Sequence, residues 1–270
     1  MSSPNKSGTT VTLITGAASG LGWELTLAFH ERGDAVVLVD MNAELLTRRE
    51  RELSDPERVL CCAGDLTQAE FLTELVAAVE QRFARLDCLV NNAGITHRSP
   101  VRSTQLTVFT RVMAVDWQAP VALTQQCLPM LERSRGLIVN IGSMASWMPV
   151  PGRAAYCAAK AAMAQFFEVL RLEMEPLGVR VLNIYPSFLD TPIETSALGA
   201  DGKPAQHRRS MVGKMRGADW MASRVMKAID KGQPWVFGDQ ISWFGSVLWR
   251  IWPQQYLRSV RKRFAGEIAR

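Results

Sequence analysis

The sequence predicts a doubly wound α/β fold, a single domain in which about seven parallel strands carry helices on both faces. Three observations support this prediction. Short apolar or β-branched runs alternate with helical patterns from Val11 to Phe237. The first run ends in a glycine-rich turn that opens a helix, and the second run ends in an acidic residue. This alternation is typical of parallel sheets, which bind ligands at the carboxyl ends of their strands.

Length and composition indicate an ordinary soluble protein with one sizeable core. The chain has 270 residues, of which 47% are hydrophobic and 21% are charged. Residues 1–10 are polar and contain no apolar segment of the kind found in a secretory signal. The five cysteines form no CxxC pair, so we expect free thiols, a cytoplasmic location and no metal site. The three histidines are scattered, and we expect His30, His97 and His207 to be surface or packing residues.

The first strand, Val11–Thr15, leads into a turn with the sequence Gly16-Ala17-Ala18-Ser19-Gly20-Leu21-Gly22. A helical pattern follows to about Arg32. Glycines in such a turn allow the backbone to approach a pyrophosphate, which binds at the N-terminus of the following helix. Because a strand precedes the glycines and a helix follows them, the context fits a dinucleotide-binding turn.

The second strand, residues 35–39, ends at Asp40. An acidic residue about 20 positions beyond the glycines is placed to accept hydrogen bonds from an adenosine ribose. Its charge would repel a 2′-phosphate, and Met41-Asn42-Ala43 supplies no arginine to offset that repulsion. The sequence therefore favours NAD over NADP. Asp40 could also cap the predicted helix Ala43–Leu53, and the two roles are compatible.

Two further strands follow, at residues 58–63 and 86–90. We predict that Asp65 and Thr67 cap the helix Ala69–Phe83. The fourth strand runs into Asn91-Asn92-Ala93-Gly94.

At this point the chain resembles the short-chain dehydrogenase/reductase family, over roughly residues 10–240. Four features carry the resemblance: Thr15-Gly16-(x)3-Gly20-Leu21-Gly22, Asp65, Asn91-Asn92-Ala93-Gly94 and Tyr156-(x)3-Lys160. It implies hydride transfer between NAD and a secondary alcohol or ketone, and a homodimer or homotetramer. It also implies a cofactor site formed by Gly16, Ser19, Gly20, Leu21, Gly22, Asp40, Asp65, Leu66, Asn92, Ala93, Gly94, Tyr156, Lys160, Pro186 and Thr191.

Tyr156 and Lys160 lie four residues apart on the predicted helix 153–175 and therefore share one face. An ammonium group beside a phenol is expected to lower its pKa. By resemblance, Tyr156 is the general acid/base, and Lys160 also binds the nicotinamide ribose. Ser143, thirteen residues before Tyr156 and just after the strand 136–141, is expected to bind the substrate oxygen. Ser146 is a competing candidate, although the spacing favours Ser143.

Asp116 is the main departure from the family pattern. The helical pattern over residues 104–133 is either continuous or broken at Pro120 and Pro129. Within it, Val115-Asp116-Trp117-Gln118-Ala119 occupies the place of the family's Val-Asn-x-x-Gly, whose Asn supports a water in a proton relay. An ionised carboxylate at Asp116 would oppose ionisation of Tyr156. The alternative function is therefore a non-catalytic NAD-binding or scaffolding protein.

The rest of the domain contains strands at 179–185 and Trp235–Phe237, separated by a helix at 218–231. Pro186 and Thr191 match the family, whereas Ser187 replaces its glycine. Residues 187–218 contain several glycines and scattered charge, so they are predicted to form a mobile loop over the substrate.

The last part, residues 241–270, is a separate aromatic and basic tail beyond the domain 1–240. Between Arg250 and Arg270 there are six basic residues and one acidic residue, which equals the net charge of +5 of the whole chain. Nucleic-acid binding is therefore not indicated. An apolar stripe runs through the tail and suggests either peripheral membrane contact or packing on another subunit or over the pocket. It also suggests a hydrophobic substrate such as a steroid, a long-chain alcohol or a lipid-derived ketone. The stripe comprises Trp243, Phe244, Val247, Leu248, Ile251, Trp252, Tyr256, Leu257, Val260 and Phe264.

Overall fold

Seven parallel strands form the sheet that the sequence predicts. They are β1 (Val11–Thr15), β2 (Ala35–Asp40), β3 (Val59–Ala63), β4 (Cys88–Asn91), β5 (Leu137–Ile141), β6 (Arg180–Tyr185) and β7 (Trp235–Phe237). The computed structural model describes residues 8–206 and 215–265, and within them the strand order is β3-β2-β1-β4-β5-β6-β7. The order reverses between β1 and β4. In a sheet of this kind, a ligand binds in the crevice at that reversal.

Helices cover both faces of the sheet. They are α1 (Gly20–Glu31), α2 (Ala43–Leu53), α3 (Ala69–Phe83), α4 (Leu106–Met113), α5 (Ala119–Ser134), α6 (Ala154–Met174), α7 (Ala218–Asp230), α8 (Gln240–Ile251) and α9 (Pro253–Arg263). One core cluster joins the sheet to α1, α2 and α7, and the other joins it to α3, α5 and α6. The central strands β1, β4 and β5 are buried throughout because both of their faces are covered.

None of the three residues considered as helix caps, Asp40 for α2 and Asp65 and Thr67 for α3, caps its helix. The carboxylate of Asp40 accepts hydrogen bonds from the backbone N–H groups of Ala18 and Asn42, so it does not cap α2. Asn42 caps α2 instead, through a bond from the Leu45 N–H. Asp65 does not cap α3 either, because its side chain accepts from Thr67, and the helix begins after Gln68 without a side-chain cap.

The helical pattern over residues 104–133 is interrupted, but not where the prolines stand. The segment Ala114–Gln118 forms a π-helical turn that joins α4 to α5. Pro120 lies in the first turn of α5, a position that a helix tolerates for proline. Pro129 lies inside α5 and does not end it. Sequence reasoning therefore predicted a break near the right place for the wrong reason.

After β6 the chain forms a short 3₁₀ turn, Pro192–Glu194, and then a loop. Residues 207–214 of the predicted substrate loop lie outside the described residues, as does His207. The described part is held to the domain by backbone hydrogen bonds from Arg98 to Leu198 and from Gln105 to Ala200. Its predicted mobility stays a prediction.

The tail forms α8 and α9, which pack on each other and on the domain. Tyr256, Val260 and Phe264 are buried on α9 and just beyond it, against Met148 and Val150. The apolar stripe predicted for the tail is therefore divided: part of it packs on the domain and part of it stays exposed. None of the described helices is long and apolar enough to cross a bilayer.

Candidate active site

A cavity of about 590 Å³ lies at the carboxyl edge of the sheet, and residues that follow strands β1 to β6 form its wall. Most of the residues predicted for the site line it together. Gly22 and Asp116 lie directly behind the wall. The predicted residues that line the cavity are Gly16, Ser19, Gly20, Leu21, Asp40, Asp65, Leu66, Asn92, Ala93, Gly94, Ser143, Tyr156, Lys160, Pro186 and Thr191.

The turn between β1 and α1 is shaped by its glycines. Gly16 and Gly20 have positive φ angles of 63° and 53°, a region that side-chain-bearing residues rarely adopt. A Cβ on Gly22 would lie 2.0 Å from the Gly16 carbonyl oxygen. Ser19 gives α1 no side-chain cap, so no hydroxyl competes for the N–H groups at this helix end. The turn therefore fits the pyrophosphate of a dinucleotide.

The loop after β4 is held against this turn. The Asn92 side chain donates to the carbonyl oxygens of Thr15 and Gly16, at 2.9 and 3.2 Å. The Thr15 hydroxyl accepts from the N–H groups of Asn92 and Ala93, both at 3.0 Å. These bonds hold the ends of the two central strands together, which fixes the floor of the cavity.

The Asp40 carboxylate is held in the cavity wall by two backbone N–H groups, each at 3.1 Å. Arg49 is a cationic residue of this region that the sequence analysis did not consider. Its guanidinium donates to the Ala18 carbonyl oxygen at 3.0 Å. That guanidinium lies over the Trp23 ring and pairs with Glu52 at 2.6 Å. Arg49 is not among the residues that line the cavity.

Tyr156 lies in the first turn of α6 and faces the cavity. Its pKa is raised, because burial outweighs the lowering by the Lys160 ammonium, and the charge of Asp116 adds to the rise. A hydrogen bond with Ser143 and the charge of Arg153 also lower it. Lys160 thus acts in the predicted direction and Asp116 in the predicted opposing one. The predicted net lowering of the Tyr156 pKa is wrong, because desolvation of the phenolate is the larger effect.

Lys160 is buried one turn further along α6. Its Nζ lies 5.9 Å from the centre of the Tyr156 ring and donates to the Ile141 carbonyl oxygen at 3.2 Å. The same Nζ lies 3.4 Å from Oδ2 of Asp116, and both side chains are almost inaccessible to solvent. This ion pair places the ammonium between the tyrosine and the edge of β5.

Asp116 stands in the π-helical turn between α4 and α5. Its Oδ1 accepts a 2.8 Å bond from the Ile95 N–H, which ties the turn to the loop after β4. Burial raises the pKa of Asp116, and Lys160 opposes that rise. Gly94 is tightly enclosed here, since a Cβ would lie 3.3 Å from Oδ2 of Asp116 and 3.4 Å from Nζ of Lys160. Single π turns of this kind are frequent at functional sites.

The two candidate serines differ in position. Ser143 follows β5 in extended conformation, lines the cavity and accepts a bond from the Ala145 N–H at 3.2 Å. Ser146 is buried in the short 3₁₀ turn after it and does not reach the cavity. Ser187 also lines the cavity wall. Gly238 packs closely against it, since a Cβ at Gly238 would collide with the Ser187 backbone.

His97 is a functional candidate that sequence reasoning did not single out. It is fully buried, in agreement with a packing residue, and its Nε2 accepts a 3.1 Å bond from the Ala155 N–H. Its other ring nitrogen lies 3.3 Å from the Ser99 hydroxyl. His97 therefore holds the N-terminal turn of the helix that carries Tyr156. A lone histidine gives no sequence signal for that role.

A row of buried amides beneath the site was also missed. Asn91 donates to Asn140 at 2.9 Å, and Asn140 donates to Asn183 at 2.9 Å. These residues stand at matching register positions on β4, β5 and β6. Asn183 then donates to Glu168 on α6 at 2.7 Å. A polar residue near the end of three apolar strands was the signal that could have revealed this row.

The outer part of the cavity is mainly apolar. Met144, Val150 and Leu189 line it, and Phe264 reaches it from the end of the tail. Arg111 and Arg153 also line the wall. The described residues contain no cluster of His, Cys, Asp or Glu that could hold a metal ion. The donor set thus fits a dinucleotide and an apolar substrate.

Comparison with known proteins agrees with this geometry. The profile of a family described as short chain dehydrogenase matches residues 10–200. Dehydrogenase/reductase SDR family member 7B of Mus musculus is 35% identical over 227 residues, or 82% of this chain and 70% of that protein. The 11-beta-hydroxysteroid dehydrogenase A of Sesamum indicum is 36% identical over 187 residues, or 68% of this chain and 53% of that protein. A solved short-chain dehydrogenase from Streptomyces avermitilis has a TM-score of 0.76 and 26% identity, and 96% of each chain is covered.

Proposed function

The chain belongs to the short-chain dehydrogenase family of oxidoreductases that act on CH–OH groups, and on that premise we propose that it interconverts an apolar secondary alcohol and its ketone with NAD. The observation that carries the proposal is the single cavity in which Ser143, Tyr156 and Lys160 meet both the glycine turn and an apolar outer wall. The family supplies the reaction class, and the cavity supplies the chemistry of the substrate.

Tyr156 exchanges the proton. In reduction, its hydroxyl gives a proton to the ketone oxygen, and in oxidation its phenolate takes the proton of the alcohol. Ser143 donates a hydrogen bond to the same oxygen and stabilises the negative charge that develops there. The dinucleotide, when bound, accepts or supplies the hydride.

Lys160 and Asp116 act through Tyr156. The ammonium of Lys160 favours the phenolate, and the ion pair with Asp116 keeps that ammonium in place. Asp116 also holds the loop after β4 through the Ile95 N–H. We assign Asp116 to positioning Lys160 and the loop, in the place where the family's asparagine supports a proton relay.

NAD is the cofactor that Asp40 supports. Its carboxylate is fixed in the cavity wall, where it can accept bonds from a ribose but would repel a 2′-phosphate. Arg49 does not offset that charge, since it pairs with Glu52 and stacks on Trp23.

The substrate class follows from the outer wall. Met144, Val150, Leu189 and Phe264 present apolar surface to it, so a steroid, a long-chain alcohol or a lipid-derived ketone fits better than a small polar alcohol. The sesame relative is named a hydroxysteroid dehydrogenase, which agrees with this class. The five cysteines are free thiols, which supports a cytoplasmic location.

The test is a turnover screen of the purified protein with NAD and NADP against steroid, long-chain and short-chain secondary alcohols. We expect turnover of apolar alcohols with NAD, at least about 100-fold loss in Tyr156→Phe because the proton acceptor is removed, and NAD binding that survives the substitution. Tighter binding of NADP would contradict the role given to Asp40.

The non-catalytic alternative makes a different prediction. A scaffolding protein would bind NAD and turn over no substrate, with or without Tyr156. The complete set of Ser143, Tyr156 and Lys160 around one cavity favours the enzyme.

A further inference from the structure

Helix α8 presents its polar residues to the protein and its apolar residues to solvent. Ser242 and Ser246 are buried at 1% and 3% exposure. On the same helix, Trp243, Phe244 and Ile251 are exposed at 46%, 63% and 57%. Burying large apolar side chains normally drives a helix onto its domain, so this orientation leaves much of the most hydrophobic surface of α8 without a partner.

The exposed apolar residues of α8 form one continuous face. With about 100° between successive residues, the exposed Trp243, Ile251 and Phe244 lie on one side of the helix, and the half-buried Val247 lies among them. Ile241 and Trp252 continue that side at the two helix ends, and both are exposed at 57%. We call these six residues the α8 apolar face.

Apart from Asp239, which caps the start of α8, the charge next to the α8 apolar face is positive. Between residues 240 and 265 the sequence has five basic residues and no acidic residue. The basic residues are exposed and stand at the end of α8 and along α9: Arg250, Arg258, Arg261, Lys262 and Arg263. Apolar residues beside basic ones are typical of helices that lie on anionic lipid.

A second copy of the chain is a poorer partner. In a two-fold dimer the same patch meets itself, so the basic groups of one subunit would face those of the other. An anionic surface would neutralise the same charges. Spanning is not an option, since α8 has 12 residues and a helix of that length covers about 18 Å, whereas the hydrocarbon core is about 30 Å thick.

Another side of α8 contacts a cluster that reaches the wall of the active-site cavity. Leu248 and Trp249 of α8 pack with Tyr256 and Val260 of α9 in one cluster. Phe264 belongs to that cluster and also lines the cavity, as does Val150. The helix that carries the exposed face is thus attached, through its packed side, to the apolar part of the cavity wall.

We propose that α8 and α9 form a docking surface for an anionic lipid bilayer, and that the bilayer delivers an apolar substrate to the cavity. The second half of this inference rests on the proposed function, and the first half does not. Trp243, Phe244 and Ile251 enter the headgroup region, while the basic residues of α9 bind acidic headgroups.

The test is flotation of the full-length protein with vesicles of phosphatidylcholine alone and of phosphatidylcholine with phosphatidylserine. We expect binding to the anionic vesicles and at least about tenfold weaker binding after Trp243→Ser with Phe244→Ser, because two large apolar contacts are lost. The control is Val101→Ser with Leu106→Ser, which removes two side chains exposed at 61% and 76% elsewhere. That control should bind as the unmodified protein does.

A second pair of substitutions tests the charge. Arg258→Gln with Arg261→Gln should weaken binding to anionic vesicles about fivefold for each charge removed, and added salt should reduce the difference. Equal binding of the unmodified protein to both vesicle types would contradict the anionic surface. No flotation with either vesicle type would overturn the docking proposal.

Two further measurements separate this proposal from its rivals. If Trp243→Ser with Phe244→Ser lowers the mass of the protein in sedimentation and flotation is absent, the face is a subunit interface and the proposal is wrong. Turnover of a water-soluble ketone should be unchanged in this variant, while turnover of a vesicle-borne ketone falls. Flotation without any turnover would leave the docking surface standing and overturn the proposed function instead.

Discussion

Asp116 is the residue at which this site differs most from its family. A buried carboxylate next to a buried ammonium is costly to desolvate, and such a pair persists where its geometry is good. Here Asp116 has a backbone N–H on one oxygen and Lys160 3.4 Å from the other. Asp116 therefore helps to position Lys160. At the same time its negative charge raises the pKa of Tyr156, which opposes part of the lowering by Lys160.

We expect Asp116→Asn to shift the pH dependence of kcat/KM for alcohol oxidation toward lower pH. Asparagine keeps the acceptor for the Ile95 N–H but removes the charge that raises the pKa of Tyr156. The measurement is kcat/KM from pH 5 to 11 in both proteins. A rise of activity that moves to higher pH in the variant would show that Asp116 acts in another way.

His97 ties the helix of Tyr156 to the loop after β4. Because it is buried near the charge of Arg153, its pKa is lowered to about 4, against about 6.5 in an unfolded chain. Between these values the unfolded chain binds a proton that the native protein does not. The contribution of His97 to stability is therefore complete above about pH 6.5 and is lost as the pH falls toward about 4.

We expect the free energy of unfolding to fall over this pH range by on the order of 3 kcal/mol because of His97. Urea unfolding at pH 7 and pH 4.5 measures the change. His97→Gln keeps an acceptor for the Ala155 N–H and cannot titrate, so its stability should depend less on pH. The partly buried His30, which pairs with Asp55, provides a comparison: His30→Gln leaves His97 in place and should retain the contribution of His97 to the pH dependence.

At the scale of elements, the amide row connects three strands to α6. Asn140 and Asn183 each use a side-chain donor and a side-chain acceptor within the row, which ends on Glu168. The Trp235 indole donates to the same carboxylate from β7. Burial raises the pKa of Glu168, but hydrogen bonds from Arg171, Trp235 and Asn183 lower it by more, so that the pKa lies below its usual value. The row therefore helps to fix the register of β4, β5 and β6 near their carboxyl ends, where Ser143 follows β5.

We expect Asn140→Ala to lower the free energy of unfolding by about 2–4 kcal/mol, because it removes two buried hydrogen bonds, the one from Asn91 and the one to the Asn183 side-chain oxygen. Urea unfolding at pH 7 is the measurement. Asn42→Ala, which removes an exposed helix cap, should cost only about 1 kcal/mol. Equal costs for the two substitutions would mean that the row contributes nothing beyond an ordinary cap.

At the scale of the whole molecule, α6 offers a second exposed apolar surface. Val169 and Leu172 on this helix, and Leu177 just beyond it, are exposed at 46%, 69% and 47%. The family resemblance implies that this helix and the preceding one form a subunit interface. We propose that the protein is a homodimer or homotetramer through this surface.

Sedimentation equilibrium tests the assembly. We expect a mass of at least two chains, and a lower mass after Leu172→Asp, because a charge would be buried in the interface. Leu257→Asp on α9 is the matched control, since Leu257 is exposed at 45% but lies in the tail. A monomer in the unmodified protein, or a mass lowered by Leu257→Asp alone, would contradict this arrangement.

Much of this molecule could be predicted from short stretches of sequence. The fold class, the glycine turn, the acidic residue at the end of β2 and the Tyr156–Lys160 pair all depend on residues close together in the chain. Periodicity and turn chemistry act over a few residues, so a local pattern is enough to indicate them. The choice of Ser143 over Ser146 also followed from spacing, and in the structure only Ser143 lines the cavity.

The tertiary structure decided the remainder. The direction in which the Tyr156 pKa shifts depends on how deeply the phenol is buried, and the spacing of residues in the sequence does not encode that burial. The bond from Ala155 to His97 joins residues 58 positions apart, and the amide row joins three strands. The stripe in the tail is visible in sequence, but which side of α8 meets the domain depends on contacts with Met148 and α9. Local sequence determined the fold and the spacing of Tyr156 and Lys160 on one helix face. Long-range packing set their environment, because burial and hydrogen-bond partners exist only once distant segments meet.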